Sequence, residues 1–121
     1  MSYIDYHLDF KELFTQKKEL TSLNLHFDNY ETGLNALKQF VRNFNECKNL
    51  HRFTIRGKVK DNDCISFVEQ MIQKVNSTLI PSPITLIFEN PLSIKTVMRI
   101  RHVLETENSA NQKLKIQFKE I

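Results

Sequence analysis

The side chains able to act as metal ligands, nucleophiles or proton carriers are thinly spread along this chain. Its four histidines, His7, His26, His51 and His102, include no pair at i, i+4, and none stands beside a cysteine at a zinc-ligand spacing. They read as surface or boundary residues. Cys47 precedes a run of strand character, and Cys64 opens a helical segment, where a helix N-terminus would lower a thiol's pKa. Both are nevertheless expected to serve as small apolar side chains. Gly33 and Gly57 are too far apart to build a phosphate-cradling loop, and neither G-x-S-x-G nor H-E-x-x-H occurs. Asp61 and Asp63 read as a turn and cap before a helix rather than as an acid–base or metal pair. No catalytic, cofactor or metal constellation results, and the chain reads as non-enzymatic.

The bulk composition agrees with a small folded domain. A length of 121 residues suits one domain spanning 1–121. Forty per cent hydrophobic residues, nine of them Phe, can fill a core without disulfide or metal staples. Two Gly and three Pro argue against a turn-rich barrel or sandwich. The 17 basic and 14 acidic residues are interspersed and leave a net charge of +3, short of the dense basic stripe of a dedicated nucleic-acid binder. No apolar run of signal length opens the chain, and no segment reaches the roughly 18 apolar residues of a membrane span. An intracellular, cytoplasmic protein with reduced thiols is expected. The acceptor pattern Asn76-Ser77-Thr78 then reads as coincidence.

A repeat organises the chain. Four short runs of alternating apolar residues centre on Leu23-Asn24-Leu25, Phe53-Thr54-Ile55, Ile84-Thr85-Leu86 and Leu114-Lys115-Ile116. Counted from the first apolar residue of each, they recur at spacings of 30, 31 and 30. The inward set is Leu23, Leu25 and Phe27; Phe53 and Ile55; Ile84, Leu86 and Phe88; Leu114, Ile116 and Phe118. The outward set is Asn24, His26 and Asp28; Thr54, Arg56 and Lys58; Thr85, Ile87 and Glu89; Lys115, Gln117 and Lys119. Period two with one polar face marks strands buried on one side only.

Helical periodicity fills the gaps. Leu34, Leu37, Phe40, Val41 and Phe44 predict a helix near 31–46. Ile65, Val68, Met71, Ile72 and Val75 predict one near 62–77, and Ile94, Val97, Ile100, Val103 and Leu104 predict one near 92–107. Ser93 is the expected cap of the last. Strand–helix units at a constant period imply parallel strands joined by right-handed crossovers. The polar outward faces imply that all the helices lie on the other side, as in a curved solenoid. Residues 1–19, with alternation at Ile4, Tyr6, Leu8 and Phe10 and then Leu13 and Phe14, are expected to cap repeats spanning 20–121.

Leu20-Thr21-Ser22-Leu23-Asn24-Leu25, and Cys47 through Ile55, resemble the L-x-x-L-x-L strand entry of the leucine-rich repeat family, and the helix residues Gly33-Leu34 through Phe40 and Phe44 resemble its long-helix, ribonuclease-inhibitor-like variety. The resemblance implies a horseshoe segment of about four strand–helix units, whose concave sheet face binds protein partners. Pro81 and Asn111 depart from the pattern, standing where the third and fourth units would lead with Leu. The family's ladder Asn position holds Asp28, Lys58, Glu89 and Lys119. The alternative fold is a small mixed α/β sheet domain resembling STAS, with an added N-terminal strand.

The outward face supplies the candidate partner-binding residues: His26, Arg56, Lys58, Ile87, Glu89, Lys115 and Lys119. A protein partner is expected there. The other expected contact is pairing through the last strand's edge, with a second copy or another subunit, because the chain stops just after Phe118 and that edge carries only Lys115, Lys119 and Glu120 to blunt it. The alternative is a nucleic-acid-associated subunit that uses the sheet-face basic residues with Lys95, Arg99, Arg101 and Lys113. No aromatic is placed among those to stack bases.

Overall fold

The computed structural model describes residues 19–46, 49–77, 83–107 and 113–119. The expected cap up to residue 18, and Cys47, Pro81, Asn111 and Glu120, lie outside them. The fold is α/β. Strands β1 (Ser22–Phe27), β2 (Arg52–Gly57), β3 (Ile84–Phe88) and β4 (Leu114–Phe118) alternate with helices α1 (Tyr30–Arg42), α2 (Asp61–Ser77) and α3 (Ile94–Glu107). A 3-10 turn, Phe44–Glu46, follows α1. The strands form one sheet in the order β1-β2-β3-β4, every neighbouring pair parallel, and each helix supplies the crossover that parallel neighbours require.

The inward residues of β1, β2 and β3, with Leu114 of β4, share one core with Leu37 and Phe40 of α1, seven residues of α2 from Cys64 to Val75, and Ile100 of α3. In this core α1 packs on α2 and α2 on α3. Its centre is aromatic. The Phe40 and Phe53 rings stack at 4.2 Å, and Phe67 meets them edge-on at 5.9 and 6.0 Å. Each such fully buried side chain contributes about 1.5–3 kcal/mol through burial alone.

The register differs from the sequence count. Leu23 aligns with Phe53, Phe53 with Leu86, and Leu86 with Ile116, spacings of 30, 33 and 30. The middle crossover is two residues longer than the count because Ile84 and Leu114 stand one inward position ahead of that row. A shift of two leaves every side chain on its predicted face, whereas a shift of one would have inverted them.

The stripe expected on α3 is also corrected at its start. Ile94 is 79% exposed. It lies six residues before the buried Ile100, about 120° away around the helix, so it cannot share that line. Thr96 and Ile100 form the buried line, with Val97, Val103 and Leu104 half-buried beside it.

Two glycines allow the units to approach closely. Gly57 ends β2 at a φ of 87°, and a Cβ there would collide with the carbonyl oxygen of Phe27. On α1, a Cβ at Gly33 would sit 2.7 Å from the Lys58 carbonyl oxygen. Asn29 caps α1, its Oδ1 accepting the Thr32 N–H at 2.8 Å. Ser93 caps α3 in the same way, its Oγ accepting the Thr96 N–H at 3.2 Å.

Candidate functional site

The register sets the outward side chains in three rows across the sheet. Ser22, Arg52, Thr85 and Lys115 form the first, and Asn24, Thr54, Ile87 and Gln117 the second. His26 and Arg56 lead the third, which continues one step beyond the ladder through Glu89 to Lys119. In the third row Arg56 Nε lies 3.0 Å from Glu89 Oε2, with the two side chains 54% and 39% exposed. Exposed pairs of this kind contribute about 0–1 kcal/mol, so the bridge orders the row more than it stabilises the fold.

The middle row differs in character. Thr54 is buried and Ile87 half-buried, while Arg52, Arg56, Lys115 and Lys119 around them are exposed. The face therefore has a small apolar centre within a polar, mostly basic rim.

Six of the seven expected residues, His26, Arg56, Ile87, Glu89, Lys115 and Lys119, fall on these rows. Lys58 does not. It follows the left-handed Gly57, past the end of β2, and lines a shallow cavity of about 500 Å³ with Tyr30, Val59, Lys60, Asp61 and Pro91. The Lys60 ammonium stands 5.8 Å from the Tyr30 ring centroid there. Arg52 belongs to the face but is absent from the expected set, because the sequence count began at Phe53 and overlooked the outward position before it.

Asp61 plays a different part from the cap expected of it. Asp61 is the first residue of α2, and its carboxylate reaches forward to the next unit. Its Oδ2 accepts the Thr96 hydroxyl at 2.7 Å and the Ser93 N–H at 3.1 Å. Burial pushes the Asp61 carboxyl up, but the hydrogen bonds from Thr96 and Ser93 outweigh it and hold its pKa below the ordinary 3.8.

A second inter-unit contact is buried. Asn90 Nδ2 donates to the Val59 carbonyl at 3.5 Å and lies 3.7 Å from Cys64 Sγ, while its Oδ1 has no partner among the described residues. This buried Asn is one position past Glu89, where the repeat pattern had placed it. Burial pushes the Cys64 thiol up to about 12 despite the Asn90 hydrogen bond, and the charges of Asp61 and Asp63 add to the rise. Burial is the dominant influence, and Cys64 packs as the small apolar side chain expected of it. Cys64 is an unreactive core residue.

The basic residues of α3 do not form one patch. Lys95 and Arg99 lie on one flank of the helix, whereas Arg101 turns to β4 and sits 5.5 Å from the Phe118 ring centroid. Among the described residues, no three His, Cys, Asp or Glu side chains converge to hold a metal ion, and no helix is long and apolar enough to cross a membrane. Comparison with protein-family models, curated proteins and solved structures found no match.

Proposed function

We propose that this chain is a non-enzymatic protein-interaction module, a short leucine-rich-repeat-like solenoid that receives its partner on the outward face of the parallel sheet. One observation carries the reading: buried Thr54 and half-buried Ile87 are ringed by Arg52, Arg56, Lys115 and Lys119. An apolar centre within a polar rim is the usual anatomy of a protein interface. The sequential strand order and the stacking of α1 on α2 and α2 on α3 support the solenoid. The rim's positive charge favours a partner whose matching surface is acidic.

The test uses an Ile87→Arg variant and an Arg56→Glu, Lys119→Glu variant, each confirmed as folded by circular dichroism. Proteins retained from native extract by the parent chain are compared with those retained by each variant, at low and high salt. The reading expects a retained protein that is lost with both variants and survives moderate salt. Retention of the same proteins by both folded variants would refute it. Retained nucleic acid whose binding falls steeply with salt would replace it with the nucleic-acid reading.

A further inference from the structure

Lys58, which falls off the sheet face, belongs to a second feature. Along Lys58-Val59-Lys60, Val59 is buried while the lysine on either side of it is exposed. With Val59 anchored, both lysines line the cavity of about 500 Å³ past the end of β2, together with Tyr30, Asp61 and Pro91. We infer that this cavity binds a small phosphorylated molecule, its phosphate held by Lys58 and Lys60.

The backbone beneath the two lysines is fixed. The Lys58 N–H donates to the Phe27 carbonyl at 2.9 Å, just after the left-handed Gly57, and the Lys60 carbonyl accepts the Cys64 N–H at 3.0 Å. Lys60 stands 5.8 Å from the Tyr30 ring centroid, which keeps its ammonium at the cavity wall. Asp61 is the one acid among the described lining residues, and its Oδ2 already accepts from Ser93 and Thr96. Helices α1 and α2 begin at Tyr30 and Asp61, so the positive ends of their dipoles border the same space and add to the field of the lysines. The donors select the anion. Two ammonium groups, each with three N–H donors, match a phosphate monoester of charge about −1.5 to −2 and three acceptor oxygens. A carboxylate would offset only one of them, and the lining has no guanidinium fork to grip it in two places. The size selects the rest. A cavity of about 500 Å³ is in the range of ligand clefts and would be mostly empty around a bare phosphate. The body of the ligand would lie against Tyr30, Val59 and Pro91.

Amide NMR spectra of the 121-residue chain, titrated at constant ionic strength with phenyl phosphate, inorganic phosphate and benzoate, test the site. Phenyl phosphate is expected to give saturating shifts centred on Tyr30, Lys58 and Lys60, with a Kd on the order of 1 mM or tighter. Inorganic phosphate and benzoate should each bind more weakly. Shifts that do not saturate, or that are as large around Arg52 and Lys115 on the sheet face, would overturn the inference. Benzoate binding as tightly as phenyl phosphate would overturn the choice of phosphate. Lys58 and Lys60 are exposed, so their replacement leaves the core untouched, which the same spectra verify. Lys58→Gln and Lys60→Gln should each weaken phenyl phosphate on the order of fivefold, and Lys119→Gln, on the sheet face, should leave it unchanged. Unchanged affinity in the Lys58→Gln, Lys60→Gln double variant would refute the assignment of the two lysines.

Discussion

The interior between α1, β2 and α2 and the margin formed by α3 and β4 are written in the same residue pattern but are sealed to different degrees. Phe53 is fully buried, clasped by Phe40 on one side and Phe67 on the other. Phe118, inward by the same alternation, is half-buried, with Phe88 stacked beside it at 5.9 Å and Arg101 against its ring. The difference comes from neighbours. Phe53 lies on a strand flanked by β1 and β3, whereas among the described residues Phe118 lies on one that pairs only with β3. Periodicity assigns a face, and the rings packed around a side chain decide how completely it is buried.

The largest effects should separate the two regions. Phe53→Ala empties the centre of the aromatic cluster and is expected to cost about 3–5 kcal/mol, and Leu86→Ala about 2–5 kcal/mol. Phe118→Ala should cost less than about 2 kcal/mol, since part of its ring already meets solvent. Urea denaturation of the three variants provides the comparison. Equal losses for Phe53 and Phe118 would mean that the margin is as well packed as the interior.

A smaller loss is expected where the interior depends on close backbone approach. Gly57→Ala combines a disfavoured positive φ with a collision against the Phe27 carbonyl, and should destabilise by about 1–3 kcal/mol. Its midpoint in urea should fall with an unchanged slope. A neutral result would show that β2 leaves the sheet by a path that tolerates a side chain.

The parallel sheet, its strand faces and the three helices were legible from alternation and helical spacing, because burial on one side imposes those periods directly. Register was not. Ile84 and Leu114 are apolar and inward, so nothing in the residue types shows that Leu86 and Ile116, rather than they, align with Phe53. Six of the seven candidate face residues were found by alternation, and Lys58 was lost because the left-handed Gly57 ends the strand's parity. Asp61 was read locally, as a cap on its own helix, and its real partners stand 32 and 35 residues away. Asn90 escaped notice because the pattern points one position earlier.

Asp61 ties α2 to α3 and so tests the join between interior and margin. Its folded pKa is lowered, so its contribution is present above the unfolded value near 3.8 and is lost as pH falls through the folded value. Asp61→Asn should therefore lower stability above pH 5, where the contribution is present, and flatten the acid-side loss so that variant and parent converge at low pH. Thermal melts from pH 2 to 7 check this. An identical acid limb in the variant would mean that the clamp carries no pH-dependent stability.

The smallest effect is expected at the Arg56–Glu89 bridge, which crosses from β2 to β3 on the outward face. Coulomb attraction at 3.0 Å is large only where water is excluded, and both side chains are more than a third exposed. Restraining two long side chains also costs rotamer entropy. A double-mutant cycle with Arg56→Gln and Glu89→Gln should give a coupling below about 1 kcal/mol that shrinks further in high salt. The core would then join the two regions, leaving the charged row free to exchange its internal bridge for contacts with a partner. A coupling above about 2 kcal/mol, insensitive to salt, would mean that the row is a rigid part of the fold. Arg56 would then be unavailable to a partner without first breaking a strong bond.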